Sequence, residues 1–185
     1  MDHYQQGRAF LSQRELEKAR ACFIEGLEAD PKCAYGLVAL AATLGQDMAA
    51  PLSRLAKVLP QIMLLADSAD PEACFIAARC YETGSGIGAD IHAAMKYYTR
   101  AAMKGHGDAA FNLGCIYMQM GPGGEQLALE FFGKAADAQC ADAQFALGYY
   151  YESHGDLSAA KNWYEKAAQS GDPGMVAKYH DFLNQ

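Results

Sequence analysis

An internal repeat of about 34 residues constrains the fold of this chain more than any other feature. Three segments, which begin at Pro71, Asp108 and Asp142, align with one another. Each contains a tyrosine in its first half, and in its second half a pair of aromatic residues followed by a pair of alanines. The tyrosines are Tyr81, Tyr117 and Tyr151, and the alanine pairs are Ala101-Ala102, Ala135-Ala136 and Ala167-Ala168. A period of this length predicts repeats that stack on one another.

Each segment predicts two helices joined by a short turn. In the third segment, Ala143, Leu147 and Tyr151 recur every four residues and define one helical face. Gly155 and Asp156 then interrupt the helix, since glycine suits a left-handed C-terminal position and aspartate suits the N-cap of the next helix. A small residue stands at one register of every first helix and would let the paired helix approach closely: Ala78, Gly114 and Gly148.

Three short motifs in these segments point to a known family. They are Leu-Gly-Cys-Ile-Tyr at 113–117, Gly-Ser-Gly-Ile-Gly-Ala-Asp at 84–90 and Trp-Tyr-Glu-Lys-Ala-Ala at 163–168. Together they resemble the Sel1-like repeat, a short-turn relative of the tetratricopeptide repeat. The third segment lacks the Gly-x-Gly turn and is more similar to a tetratricopeptide unit. The resemblance implies an all-α, right-handed superhelix built from antiparallel helix pairs.

The rest of the chain follows a related but less regular pattern. Gly7, Phe10, Ala19, Phe23 and Pro31 have the spacing of a tetratricopeptide unit. Residues 33–44 read as a buried helix because they are apolar nearly all round. Residues 49–66 read as another helix, with Pro51 near its start and a kink or break at Pro60.

These patterns predict one continuous solenoid of about eleven helices. Residues 1–70 would form tetratricopeptide-like helix pairs and irregular bridging helices, and residues 71–171 three Sel1-like repeats. Residues 172–185 would form a C-terminal helix that caps the stack. Residues 32–70 are either a bridge between the repeat types or a second site.

Composition limits the partners of the chain. It has 15 Lys and Arg against 22 Asp and Glu, which gives a formal net charge of −7. Phosphate binding needs clustered basic residues, so nucleic acid is not expected as a partner. The longest apolar stretch, 55–66, contains Lys57, Pro60 and Gln61 and is too short to span a bilayer. The chain also begins without the apolar region of a signal peptide. We therefore expect no membrane partner and a cytoplasmic location.

Motifs for catalysis, metals and cofactors do not occur in the sequence. The six cysteines form no Cys-x-x-Cys pair, and His-Glu-x-x-His, Gly-x-Ser-x-Gly and Walker-type loops are missing. The glycines between Gly84 and Gly88 superficially resemble a dinucleotide loop, but a predicted helix precedes them where a strand is required. We expect no metal, no cofactor and no enzymatic activity.

Two alternatives to a non-catalytic interaction module stay open at this point. Some secreted, cysteine-rich Sel1-like proteins are described as β-lactamase-like hydrolases, and the resemblance brings that activity into question here. Their cysteine positions hold Ala102, Ala110, Ala136 and Gln144 in this chain. The second alternative is a structural scaffold in which exposed ends stack into a homo-oligomer.

The main functional hypothesis is an adaptor or regulatory scaffold that binds a protein or peptide in a concave groove. In tetratricopeptide-like solenoids the first helix of each pair lines that groove. Counting from the small residue of each first helix predicts ten groove residues: Tyr4, Phe75, Arg79, Glu82, Phe111, Cys115, Met118, Phe145, Tyr149 and Glu152. The phenylalanines would accept apolar anchors. Acidic residues at the helix starts would attract Lys or Arg of the partner: Glu72, Asp108 and Asp142.

Each of these positions also has a purely structural interpretation. The phenylalanines at 75, 111 and 145 could pack against the first helix of the neighbouring repeat. The acids lie at helix starts, where a negative charge interacts favourably with the helix dipole.

Overall fold

The computed structural model describes residues 2–30, 32–44 and 55–184, and these residues form eleven α-helices and no strand. The predicted all-α fold is confirmed. The helices are α1 His3–Ser12, α2 Leu16–Gly26, α3 Lys32–Leu44, α4 Leu55–Asp67, α5 Pro71–Thr83, α6 Ile91–Ala102, α7 Gly107–Gln119, α8 Glu125–Asp137, α9 Ala141–Ser153, α10 Leu157–Ala168 and α11 Pro173–Leu183. A short 3₁₀ turn, Gly121–Gly123, joins α7 to α8.

The chain divides into two compact units, Met1–Ala101 and Ala102–Gln185. We call them unit 1 and unit 2. Unit 1 holds α1 to α5 and nearly all of α6, and unit 2 holds α7 to α11. The predicted division at residues 70 and 171 refers to repeat types and stays a prediction.

Helix boundaries in unit 2 follow the local chemistry of the sequence. Gly155 ends α9 in the left-handed conformation with φ of 80°, and the side chain of Asp156 accepts a hydrogen bond from the Ala159 amide. His106 caps α7, since its Nδ1 accepts from the amide of Ala109 at 3.3 Å. These caps satisfy amides that have no partner inside the helix.

Close approach within the helix pairs of unit 2 depends on the predicted small residues. A Cβ atom on Gly148 would lie 2.6 Å from Cδ1 of Tyr164, and one on Gly114 would lie 2.6 Å from Cδ1 of Phe132. Only glycine therefore lets these rings lie against the first helices. The rings of Tyr164 and Phe132 are buried, and each contributes to the core of its pair.

In unit 1, α1 and α2 form the predicted tetratricopeptide-like pair. Phe23 and Ala19 are fully buried, and the ring of Phe23 lies against Gly7. The predicted Pro31 lies outside the described residues. Helix α3 confirms the helix expected over residues 33–44, and its side chains at Cys33, Ala34, Leu37, Val38 and Leu40 are buried.

A kink or a break is expected at Pro60 from the sequence; helix α4 runs through this residue, so the break does not occur, and the kink stays a prediction. A proline inside a helix costs about 3 kcal/mol. Several apolar side chains of α4 are buried and hold it in place: Leu55, Val58, Leu59, Ile62 and Ala66. Pro60 itself is exposed, and the predicted helix start near Pro51 lies outside the described residues.

The segment between Gly84 and Asp90 connects two helices, α5 and α6, as predicted. Gly84 ends α5 with φ of 72°, and Asp90 accepts hydrogen bonds from the first amides of α6. At the C-terminus, α11 packs on α10, with the ring centroids of Phe182 and Tyr164 5.4 Å apart. None of the helices in the described ranges is long and apolar enough to cross a membrane.

Candidate partner-binding site

Two of the predicted groove residues in unit 1 belong to the core. Phe75 on α5 is 7% exposed, and its ring packs between Tyr35 of α3 and Tyr98 of α6, with centroids 5.8 and 5.9 Å away. Tyr4 on α1 is 5% exposed, and its ring lies 6.2 Å from Phe23. Both rings therefore pack within unit 1 and leave little surface for a partner to contact.

Arg79 and Glu82, one helical turn apart on α5, bind each other. Nη1 of Arg79 donates to Oε2 of Glu82 at 2.9 Å, and the same oxygen accepts from the phenol of Tyr98 at 2.7 Å. Burial raises the pKa of Tyr98 well above its usual range, and the carboxylate of Glu82 raises it further. The charge of Glu82 is thus matched inside unit 1.

In unit 2, the two predicted phenylalanines are half-buried. The ring of Phe111 on α7 lies 5.8 Å from Phe132, and the ring of Phe145 on α9 lies 5.4 Å from Tyr164. Each phenylalanine therefore packs on the second helix of its own pair. The structural alternative drawn from the sequence had named the neighbouring first helix.

The most exposed of the predicted residues is Tyr149, at 63%. It lies on α9 one turn after Phe145. Cys115 and Met118 on α7 are half-buried. We call Phe111, Cys115, Met118, Phe145 and Tyr149 the docking face of unit 2. Tyr149 is exposed one helical turn after the half-buried Phe145, an arrangement that favours contact with another molecule.

Glu152 lies beyond this face and is held within the chain. Its Oε2 accepts from the phenol of Tyr164 at 2.6 Å and lies 3.0 Å from Nζ of Lys178 on α11. The hydrogen bond from Tyr164 lowers the pKa of Glu152, and Lys178 lowers it further against the opposing effect of desolvation. Glu152 therefore offers little unmatched charge to a partner.

The acids at the helix starts of unit 2 do carry unmatched charge. Asp108 and Asp142 are exposed in the first turns of α7 and α9. Partial desolvation by the surrounding chain raises the pKa of Asp142, and the negative charges of Asp108 and Asp172 raise it further. A bound cation would relieve this repulsion.

The aromatic pairs of the second helices were predicted to be packing residues, which holds for five of the six. Trp163 is the exception, because it is only half-buried. Sequence reasoning missed that Tyr98 and Tyr164 also donate hydrogen bonds to Glu82 and Glu152. The signal was present in the repeat alignment, since the second repeat has apolar residues at both of these positions, Phe132 and Met118.

The described residues contain no cluster that could bind a metal ion, and two of their cysteines have thiols that are poor nucleophiles. Across the described ranges, no group of three or more His, Cys, Asp or Glu side chains could hold a metal ion. All six cysteines lie within those ranges as reduced thiols. Burial raises the pKa of the thiols of Cys33 and Cys80 to about 11, so these two are poor nucleophiles at neutral pH.

Two repeat families match this chain. The Sel1 repeat matches residues 71–106 and 107–140, and the tetratricopeptide repeat matches residues 3–33 and 141–170. The third aligned segment thus matches the tetratricopeptide pattern that its missing Gly-x-Gly turn suggested.

Known proteins extend these matches. The chain is 37% identical over 114 residues to a chitin synthase regulator of Saccharomyces cerevisiae, covering 56% of this chain but only 16% of the length of that protein. It is 32% identical to the crystal structure of a Sel1 repeat protein from Oxalobacter formigenes, with a TM-score of 0.59, covering 66% of this chain and 97% of that one. A tetratricopeptide repeat protein of Thermus thermophilus shares the fold, with a TM-score of 0.65 at 18% identity over 99% of this chain and 98% of that one.

Proposed function

The chain belongs to the Sel1-like repeat proteins of the tetratricopeptide-like superfamily, and we propose that it is a non-catalytic adaptor that binds a protein or peptide partner. Stacked helical repeats of these kinds provide extended surfaces that suit protein binding. The relative from Saccharomyces cerevisiae is named as a regulator of chitin synthase. Because the similarity is confined to a small part of that relative, we carry over only the regulatory role.

The observation that carries this proposal is the exposure of Tyr149 on the docking face of unit 2. Its neighbour one turn earlier, Phe145, is half-buried, and Asp142 lies one further turn towards the start of α9. Tyrosine is enriched among the residues that dominate binding energy at interfaces. A partner segment with an apolar anchor for Tyr149 and a Lys or Arg for Asp142 would match both features.

The charge of unit 2 favours this class of partner over an acidic one. Asp142 is repelled by Asp108 and Asp172, whereas Glu152 is already paired with Lys178. A basic side chain of the partner would therefore gain the most binding free energy beside Asp142 at the start of α9, and the least beside Glu152 at its end. The partner's basic residue is therefore expected on the Asp142 side of its apolar anchor.

Selection of random peptides displayed on phage tests this function. The intact chain is the bait, and a Tyr149→Ser variant serves for counter-selection, because an exposed side chain can be replaced without disturbing the core. We expect enriched peptides to combine an aromatic or aliphatic anchor with Lys or Arg and to be lost on the variant. Enriched peptides that bind wild type and variant equally, or no enrichment at all, would contradict the proposal.

The two alternatives have less support. A β-lactamase-like hydrolase of the cysteine-rich type would need paired cysteines, and Ala102 and Ala136 occupy two of their positions. A homo-oligomeric scaffold would need an apolar surface at an exposed end, and the exposed residues of the terminal helix α11 include the polar His180 and Asp181 beside Leu183.

A further inference from the structure

A small polar cleft in unit 2 lies where the ends of α8 and α10 meet the start of α9. Its volume is about 300 Å³, at the small end of the range of roughly 300 to 1,000 Å³ for ligand pockets. It shares no residue with the docking face. Six polar or aromatic side chains line it: Asp137, Gln139, Gln144, Trp163, Lys166 and Gln169. We call it the glutamine cleft.

The first of its glutamines stands where the other repeats have glycine. Gln139 adopts the left-handed conformation with φ of 62°. The equivalent turn residues are Gly105, with φ of 84°, and Gly171, with φ of 77°. This conformation is strained for any residue with a Cβ atom. The side chain of Gln139 is thus present at the cleft despite a backbone that favours glycine.

The second glutamine departs from the repeat pattern in another way. Gln144 is 6% exposed, and apart from the tyrosines it is the one buried polar side chain among the residues whose burial the structure describes. The equivalent first-helix residues are Cys74 and Ala110. Its Nε2 donates to the carbonyl oxygen of Ala136 over a long 3.4 Å. A primary amide has two donor hydrogens and an acceptor oxygen, so this contact uses only part of its capacity.

The aromatic member of the cleft is the sole tryptophan of the chain, Trp163. It is half-buried, whereas its repeat equivalents Tyr97 and Phe131 are buried. The ammonium of Lys166 lies 4.1 Å from the centroid of the Trp163 ring. Lys166 is exposed and flexible, and an exposed cation–π contact is weak, so a ligand ring could take its place.

We propose that the glutamine cleft binds a neutral sugar ring. The amides of Gln139, Gln144 and Gln169 supply donors and acceptors for hydroxyl groups, and the face of the Trp163 ring can pack against the C–H bonds of a pyranose. Asp137 and Lys166 carry opposite charges, so the lining favours neither an anion nor a cation. Three features that the equivalent positions of the other two aligned segments lack converge on this one cleft: a left-handed glutamine at 139, a buried amide at 144 and a half-buried aromatic ring at 163.

Tryptophan fluorescence tests the proposal directly, because Trp163 alone contributes the signal. The intact chain is titrated with the methyl glycosides of glucose, mannose and N-acetylglucosamine. We expect a saturable change with a millimolar dissociation constant for at least one of them. No saturable change with any of the three sugars overturns the proposal. A change with glycylglycinamide that no sugar produces also overturns it, because the cleft would then recognise peptide groups.

Variants that restore the repeat pattern separate binding from folding. Gln139→Gly and Gln144→Ala place the residues of the other repeats in the cleft, and we expect each to weaken sugar binding at least tenfold. Gln139→Gly should also keep or raise the thermal midpoint, since the strain is removed. Gln126→Ala, at an exposed glutamine of α8 outside the cleft, is the matched control and should bind as wild type.

Equal binding by wild type and both cleft variants overturns the proposal. If Gln144→Ala proves unstable, the sugar affinity of Gln139→Gly alone tests the proposal. Gln139 lies in an exposed turn, so its replacement should leave the fold intact. The sugar titrations do not test peptide binding at the docking face, so each of the two proposals can fail without the other.

Discussion

The phenol of Tyr164 donates a hydrogen bond of 2.6 Å to Oε2 of Glu152. The same contact joins Tyr98 to Glu82 at 2.7 Å in the first Sel1-like repeat. In the second repeat both partners change together, to Phe132 and Met118. Removing one partner of a buried polar contact leaves the other unsatisfied, whereas replacing both with apolar groups can be nearly neutral. The middle repeat therefore has the apolar pair that corresponds to a double substitution of this contact.

This relationship predicts a strong coupling between Tyr164 and Glu152. Tyr164→Phe alone should cost about 1 to 2 kcal/mol of unfolding free energy, because a carboxylate loses a charge-assisted donor. The double variant Tyr164→Phe/Glu152→Met should recover part of that loss. Urea unfolding of the four proteins of the cycle measures the coupling, with Tyr179→Phe as the matched control. Additive effects would contradict it.

Glu152 also predicts a dependence of stability on pH. The hydrogen bond from Tyr164, and then Lys178, lowers its pKa in the folded state below the ordinary value of 4.5. The stabilisation is therefore complete above the unfolded pKa and is lost as the pH falls through the folded one. The difference in unfolding free energy between wild type and Glu152→Gln should be constant above about pH 5 and shrink below it. A difference that is unchanged down to pH 2.5 would contradict this.

The contribution of Asp142 to folding stability should depend on pH in the opposite direction. Desolvation and the charges of Asp108 and Asp172 raise its pKa above the ordinary value of 3.8. The folded state then binds the proton more readily, so this group favours folding as the pH falls through the raised pKa. Carboxyl ¹³C NMR titration should show the raised pKa in wild type and a lower one in Asp108→Asn. High salt should lower it too, because salt screens the repulsion. A pKa of Asp142 that neither change affects would exclude Asp108 as a cause.

Two glycines of unit 2 predict opposite effects of the same substitution. Gly148→Ala places a Cβ atom 2.6 Å from the ring of Tyr164. We expect it to lower the unfolding free energy by about 1 to 3 kcal/mol through overpacking. Gly133→Ala on α8 meets no atom within 4 Å. It should raise the unfolding free energy by up to about 1 kcal/mol, the helix propensity of alanine over glycine. Thermal unfolding of both variants checks this, and equal effects would contradict the close packing at Gly148.

The helix pairs could be predicted because their determinants are local and repeated. Gly155 and Asp156 set a boundary by their own backbone preferences, and Gly148 fits only where a partner ring approaches. The exposure of the candidate site could not be predicted in the same way. Phe75 and Phe145 occupy one register, yet Phe75 is buried because Tyr35 of a non-equivalent helix covers it.

The ion pair between Glu152 and Lys178 could not be predicted from the sequence either. Its partner Lys178 lies 26 residues away on a helix that follows no repeat pattern. No spacing rule connects the two residues, so the sequence marked Glu152 as available to a partner. In the folded structure, Glu152 is paired with Lys178 of the same chain.

The central claim is that the docking face of unit 2 binds a partner segment through Tyr149. Isothermal titration of the strongest selected peptide against wild type, Tyr149→Ser and Leu64→Ser measures it most directly. Leu64 is the control because it is 73% exposed on α4 of unit 1. We predict that Tyr149→Ser weakens binding about tenfold or more, the loss expected for an interface hot spot, and that Leu64→Ser binds as wild type. Equal affinity for wild type and Tyr149→Ser would contradict the account.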